Sequence, residues 1–256
     1  MRLKIAADIH GAFEELAARL EPNDTAVLLG DFINILDYND FSGVLSQVVD
    51  LATIVETLRL IQEKRLAEAK AIMAKTASGI DRMYEKVGAL ADESYKDLFA
   101  SLPCPCYLIN GNVDFPVLIE KNLRPPAVYF KEFRAMDLDG RRVGFVSGHP
   151  HMTYSFGMPG EVTPEEYRHR LDALGPVDHL FVHPPPAVPD LSFDDKAKRD
   201  EGGSDALLSY IEIHRPLTVH FGHVHTPVRS EMTLGSTRLI NVGCFRDEKR
   251  VAILEW

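Results

Sequence analysis

The sequence predicts an α/β fold in four layers, two mixed β-sheets packed face to face with helices on both outer sides, and a helical hairpin inserted into it. Three observations lead there. Short apolar runs at residues 3–7, 26–29 and 107–109 read as strands buried on both faces. Seven further strand patterns follow residue 112 with few helices between them, so antiparallel segments join the parallel ones. Between the second and third runs, a long stretch carries apolar residues at helical spacing.

The elements follow in order. Residues 13–20 read as a helix between the first two strands, closed by the turn Glu21-Pro22-Asn23-Asp24. Residues 42–77 contain no proline and only Gly43, with Val44, Val48, Leu51, Ile54, Val55, Leu58 and Ile61 in helical register. Ser78-Gly79 breaks that pattern. A second helical stretch over residues 80–100 places Met83, Val87, Leu90, Tyr95 and Leu98 on one side. The chain is therefore expected to be one domain, residues 1–256, with an insertion at about residues 42–100. A helix of about 30 residues spans roughly 45 Å, more than such a sheet needs. The surplus apolar stripe is expected to form a homodimer interface through Val48, Leu51 and Leu58, or else a cap over the active site.

After residue 112, strands are expected at residues 128–133, 142–147, 179–182, 217–221, 228–233, 238–242 and 251–255. Asp139-Gly140 between two strand patterns marks a hairpin. Residues 164–174 form a helix with Thr163 as N-cap, Pro164 as first residue and Glu166 at the capping-box position. Ser204 caps a second helix over residues 204–214. Residues 187–203 read as a mobile polar loop.

Composition narrows the function. With 45% hydrophobic and 26% charged residues the chain has the balance of a soluble globular protein. It holds no apolar run near the roughly 20 residues that cross a bilayer. The N-terminal apolar stretch is short and interrupted by Asp8, which reads as no signal peptide, so a cytoplasmic location is expected. A net charge of −10 argues against a general nucleic-acid-binding surface. A phosphate ester remains compatible, because divalent cations make the local field positive. Cys104, Cys106 and Cys244 are odd in number and fit no disulfide framework, and Cys106 is expected to pack as a small apolar residue.

Five clusters carry the chemistry: Asp8-Ile9-His10, Gly30-Asp31, Gly111-Asn112, His183 and Gly222-His223-Val224-His225. Each follows a strand pattern, and several strand ends aimed at one point can hold two metal ions, a device for hydrolysing phosphate esters. Singly, Asp31 reads as a helix cap, Asn112 as a turn residue and His183 as a buried histidine. Together and in order, they resemble the D-x-H, G-D, G-N, lone-His and G-H-x-H motifs of the calcineurin-like metallophosphoesterases. Leu180 to Pro185 resembles that family's apolar strand followed by histidine and prolines, and Asn241-Val242-Gly243 its closing N-x-G segment.

The resemblance implies a binuclear centre in the four-layer metallophosphoesterase fold. Asp8, His10 and His225 would bind one ion, Asn112, His183 and His223 the other, and Asp31 both. Imidazole with carboxylate suits Mn, Fe, Co, Ni or Zn, with Mn favoured here. The implied reaction is hydrolysis of a small phosphoric ester, a diester preferred, by a metal-bridging hydroxide, with Asp31 and Asn112 at the catalytic junction. The alternatives are a nucleotide or sugar-phosphate monoesterase, and a scaffold protein that has kept the fold without the activity. Two departures from the family pattern stand out. Asn34 replaces an aspartate that is usually no direct ligand. Val113 replaces the histidine of G-N-H-D, a candidate leaving-group acid. The G-N-V-D variant resembles a small prokaryotic, phosphodiesterase-type branch. His149 and His151, in a loop after a strand, are candidates to replace the missing acid. His169, His179, His214 and His220 read as surface or core residues.

Overall fold

Two sheets lie face to face in the computed structural model, which describes residues 1–151 and 157–256. The first has five strands in the order Ala252–Glu255, Arg2–Ala6, Ala26–Leu28, Cys106–Leu108, Ala127–Tyr129, parallel except at its Ala252–Glu255 edge. The second has six, in the order Glu231–Leu234, Thr237–Asn241, Thr218–Phe221, His179–Val182, Arg141–Val146, Phe133–Leu138, with four parallel strands between antiparallel edges.

Alternation along each strand divides the core into layers. Leu3, Ile5, Val27 and Ile109 of the first sheet meet Val143, Phe145 and Phe181 of the second. Tyr107, Phe130, Phe145 and Phe181 form a chain of ring contacts there, with centroids 4.8 to 5.9 Å apart. The outward set of the first sheet, including Ala6, Leu28 and Leu108, packs under Leu16, Tyr95, Leu98 and Ile119 from helices. The outward set of the second, including Leu180, Val182 and Val219, packs under Tyr167, Leu171, Leu207 and Ile211. Asp139 and Gly140, with φ of +48° and +78°, make the tight turn of the edge hairpin. Thr163 accepts from the Glu166 amide at 3.1 Å and Ser204 from the Leu207 amide at 3.1 Å, capping Pro164–Leu174 and Asp205–His214.

Three expectations need revision. The strand expected over residues 128–133 is two strands in different sheets. Phe130 and Glu132 lie in the crossover, where Ser147 Oγ donates to the Phe130 carbonyl at 2.5 Å, and period-2 patterning carries no mark of a change of sheet. The loop over residues 187–203 holds local structure: Pro189–Ser192 is a helical turn, Phe193–Asp194 pairs with Arg199–Asp200, and buried Asp194 accepts from the amides of Lys196, Ala197 and Thr226. The inserted stretch holds three α-helices, Leu51–Gln62, Leu66–Gly79 and Met83–Ser101, in place of a pair. The unforeseen break centres on Lys64, at φ +60°, where Arg59 and Arg65 both pair with Glu63 and neither glycine nor proline marks the turn.

This division changes the expected insertion. The first two helices form the hairpin. Tyr95 and Leu98, in the latter part of Met83–Ser101, pack in the layer on the first sheet. Val49, Ile54 and Met83 make a small separate core joined by Val48, Leu58 and Met73. Val48 and Leu58 are thus partly covered within the chain, whereas Leu51 is 55% exposed. Cys106 packs in the core as expected, and all three cysteines are free thiols. No helix among the described residues is long and apolar enough to cross a membrane.

Candidate metal centre

Parallel strands of both sheets end on one rim, and the loops leaving them carry every candidate ligand. Asp8 and His10 follow Arg2–Ala6, Asp31 follows Ala26–Leu28, and Asn112 follows Cys106–Leu108. From the second sheet, His183 follows His179–Val182, and His223 and His225 follow Thr218–Phe221. Four of these residues stand in the left-handed region: Asp8, His10, Asp31 and His223, with φ of +54°, +43°, +52° and +69°. Non-glycine residues adopt it at a cost of roughly 1–2 kcal/mol, and such strain concentrates at functional sites.

The glycines of the motifs allow close approach. A Cβ on Gly111 would lie 2.2 Å from Asp31 Oδ1 and 2.6 Å from His183 Cε1, and one on Gly222 would lie 2.4 Å from Asp8 Oδ2. Only a bare Cα lets the G-N and G-H turns close on the carboxylates.

The side chains converge in two groups. Ligand atoms of Asp8, His10 and His225 lie within 4.8 Å of one another, as do those of Asp31, His183 and His223. Asn112 Oδ1 joins the second group, 3.0 Å from His183 Nε2 and 3.0 Å from His223 Nδ1. His10 Nε2 and His225 Nε2 face each other at 3.3 Å. Asp8 is fully buried, its Oδ2 accepts from the His223 amide at 2.9 Å, and its Oδ1 accepts no hydrogen bond among the described residues, with His225 Nε2 3.6 Å away. A buried carboxylate oxygen without a donor, opposite two imidazole nitrogens, fits a cation.

Outer hydrogen bonds aim the rings. His183 Nδ1–H donates to the Leu29 carbonyl at 2.8 Å, which leaves Nε2 toward Asn112 and Asp31. His223 Nε2–H donates to the Glu201 carbonyl at 3.2 Å, which leaves Nδ1. His10 Nδ1–H donates to the Ile33 carbonyl at 3.3 Å. Asn241 holds the loop of His225, with Nδ2 donating to the Val224 carbonyl at 2.9 Å and Oδ1 accepting from the Gly243 amide; this gives the N-x-G segment its physical role.

The electrostatics of the centre are those of packed opposite charges. Burial pushes the Asp31 carboxyl up, but the charge of His183 beside it outweighs burial and holds it below the usual range. Burial pushes His183 down, while Asp31 raises it to about 9. Burial, with His225 second, lowers His10 to about 4.

His149 and His151 both line the cleft that opens over this rim. His149 is buried, with its ring centroid 4.2 Å from that of His223. Its Nδ1–H donates to the Pro150 carbonyl at 2.7 Å, and its Nε2 has no partner among the described residues. Burial, then the charges of His223 and His183, holds this imidazole well below its ordinary pKa. His151 is more exposed, and its Nδ1–H donates to Glu161 Oε2 at 3.0 Å. Val113 contributes its amide, which donates to Asp31 Oδ1 at 3.1 Å. Asn34 Nδ2 donates to Ser42 Oγ at 3.3 Å, away from both ligand groups.

Two further residues belong to the site. Asp114 is fully buried and accepts from the amides of Asp31, Phe32 and Gly111 at 2.8, 3.0 and 2.9 Å. Cys244 groups with His225 and Asp247 in a third set of ligand atoms within 4.8 Å. The fourth letter of G-N-V-D was the clue to the first. Nothing in the sequence distinguished the second from an ordinary buried cysteine.

The chain matches no protein-family model, and it matches no curated protein. Solved structures do resemble it. One is 16% identical with a TM-score of 0.60, covering 99% of this chain and 94% of its own. The protein TT1561 of Thermus thermophilus is 13% identical with a TM-score of 0.53, covering 99% and 98%. An archaeal phosphodiesterase is 12% identical with a TM-score of 0.43, covering 100% and 93%. The first two share this fold nearly end to end. The two packed mixed sheets flanked by helices agree with the metallophosphoesterase fold that the motifs imply.

Proposed function

We propose that the protein hydrolyses a phosphoric ester, phosphodiesters preferred, with two divalent transition-metal ions, Mn first among Mn, Fe, Zn, Co and Ni. The observation that carries this reading is the meeting, on one rim, of two carboxylate–imidazole groups from both sheets. The donor set fits such ions, and Asp8 Oδ1 is left without a hydrogen bond where one would bind. Asp8, His10 and His225 would hold one ion, Asn112, His183 and His223 the other, and Asp31 would be shared. When bound, two such ions supply Lewis acidity toward phosphoryl oxygens and lower the pKa of a water.

The chain's own groups set the remaining roles. The Val113 amide and the His183 ring orient Asp31. Val113 has no proton to give a leaving alkoxide. His149, with its proton on Nδ1 held by Pro150, presents a bare Nε2 and acts as an acceptor. His151 lies on the wall of the same cleft with Nδ1–H donating to Glu161, and only its cationic form, with a second proton on Nε2, would have one to give a leaving group.

Elemental analysis and turnover of bis(p-nitrophenyl) phosphate test this reading. About two equivalents of Mn and activity abolished by a chelator are expected. Turnover indifferent to chelation excludes the metal mechanism. Faster turnover of p-nitrophenyl phosphate selects the monoesterase alternative, and metal uptake with no turnover of either ester selects the scaffold.

A further inference from the structure

The inserted helices do more than extend the fold: they wall the cleft that contains the candidate metal centre. One cleft of about 2140 Å³ is lined by His10, Asp31, Asn112, His223 and His225 at its base. The same cleft is lined by Val55, Leu58, Ile61, Leu66, Met73 and Tyr84 from the three inserted helices. Small-molecule sites commonly enclose roughly 300–1,000 Å³, and a phosphoryl group with a short ester fills a small share of this one. The apolar wall is also incompletely covered by the chain itself, since Val55 is 44% and Tyr84 79% exposed.

We infer that the substrate is an amphiphilic phosphoric ester, whose phosphoryl group sits at the metal centre and whose alkyl tail lies against the wall formed by these helices. The inference rests on the proposed hydrolase reading and adds the class of the esterified group. Continuity selects this occupant: ligands for a phosphoryl group and an unfilled apolar wall line the same cleft, so one molecule with a charged head and an apolar tail satisfies both. A purely polar ester would leave the wall in water. A second copy of the chain would cover the wall but bring no phosphoryl group to its base.

The test compares the binding of two probes with no ester bond to cleave, dimethylphosphinate and dodecyl(methyl)phosphinate, to the Mn-loaded full chain. Calorimetry is run below the micellar concentration, with light scattering on the same samples. Affinity at least about 100-fold tighter for the dodecyl probe is expected, the change that burial of three to four methylenes brings at roughly fourfold each. Val55→Asp should remove most of that ratio. Misfolding, by contrast, depresses both affinities and does not selectively lower their ratio. Equal affinities for the two probes, or a ratio unchanged in Val55→Asp and Tyr84→Asp, overturn the inference. So does a dimer whose formation abolishes the preference for the dodecyl probe, which assigns the wall to a second copy. Turnover of aryl diesters, measured separately, decides the hydrolase reading: activity with equal probe affinities sinks only the tail, and a tail-dependent affinity without turnover sinks only the hydrolase.

Discussion

The Tyr95 hydroxyl donates to Asp114 Oδ1 at 2.9 Å and accepts from the Phe115 amide at 2.8 Å. Through that bond the helix Met83–Ser101 braces the loops that carry Asp31 and Asn112, because Asp114 also accepts from the amides of Asp31, Phe32 and Gly111. Burial and the charge of Asp31 push the Asp114 carboxyl up to about 6, against the pull of those donors. Tyr95→Phe removes one donor and strands the Phe115 amide. A loss of about 1–3 kcal/mol of stability is expected, together with weaker Mn binding. Urea unfolding and a Mn titration measure the two effects. Unchanged Mn affinity in a destabilised variant would confine Tyr95 to a packing role.

Asp31→Ala should lower metal occupancy at both positions, because the proposed centre shares its carboxylate, whose Oδ2 lies 3.5 Å from His183 Nε2 and whose Oδ1 accepts from the Val113 amide. Asp8→Ala should chiefly empty the position it shares with His10 and His225. Elemental analysis of the two variants separates these patterns. Two full equivalents retained in Asp31→Ala would sink the shared assignment.

Leaving groups probe the missing acid at position 113. With Val113 in place, hydrolysis of substituted aryl phosphodiesters should slow steeply as the leaving-group pKa rises. Val113→His should flatten that dependence and speed the poorest leaving groups by about tenfold or more. A flat dependence in the unaltered protein, with chemistry shown to be rate-limiting, would point to His151 as the acid, and His151→Ala would then steepen it.

The fold and the ligand loops were legible because each rests on local chemistry. Buried parallel strands are short apolar runs, such as residues 26–29, and ligands follow them as Asp, Asn or His beside a glycine that permits close approach. What stayed hidden depends on distance in the chain. The change of sheet near Phe130 is a tertiary event with no local pattern. The break at Lys64 is closed by backbone bonds, from the Lys64 amide to Ile61 and the Arg65 amide to Leu60, with a lysine in the left-handed position that glycine usually takes. The roles of Asp114 and Tyr95 rest mainly on partners 19 to 83 residues away. The helical period of residues 42–77 was visible, but which apolar residues close on one another and which line the cleft was not. Val55 and Leu58 share the pattern and both line the cleft, yet one is 44% exposed and the other also joins a small core.

Acid stability provides a test outside the metal centre. His220 lies in the strand Thr218–Phe221, 2% exposed, its ring stacked on Phe181 with centroids 5.2 Å apart. Burial, followed by smaller effects of His179 and Arg238, pushes its imidazole down to about 3, from an ordinary value of 6.5. Between those values the unfolded chain binds a proton that the folded chain refuses. The resulting stabilisation is complete above pH 6.5 and is lost progressively as pH falls toward about 3, with a slope of up to about 1.4 kcal/mol per pH unit. Other buried histidines add to the total slope, so the informative quantity is a difference between proteins. His220→Phe keeps a ring against Phe181 and has nothing to protonate. Unfolding free energies measured at pH 7, 6 and 5 should converge between the two proteins at low pH if Phe is the less stable at neutrality, or diverge in favour of Phe if it is the more stable. In either case, the variant loses less stability per pH unit. Parallel lines for the two proteins would show that His220 takes up its proton without unfolding the strand.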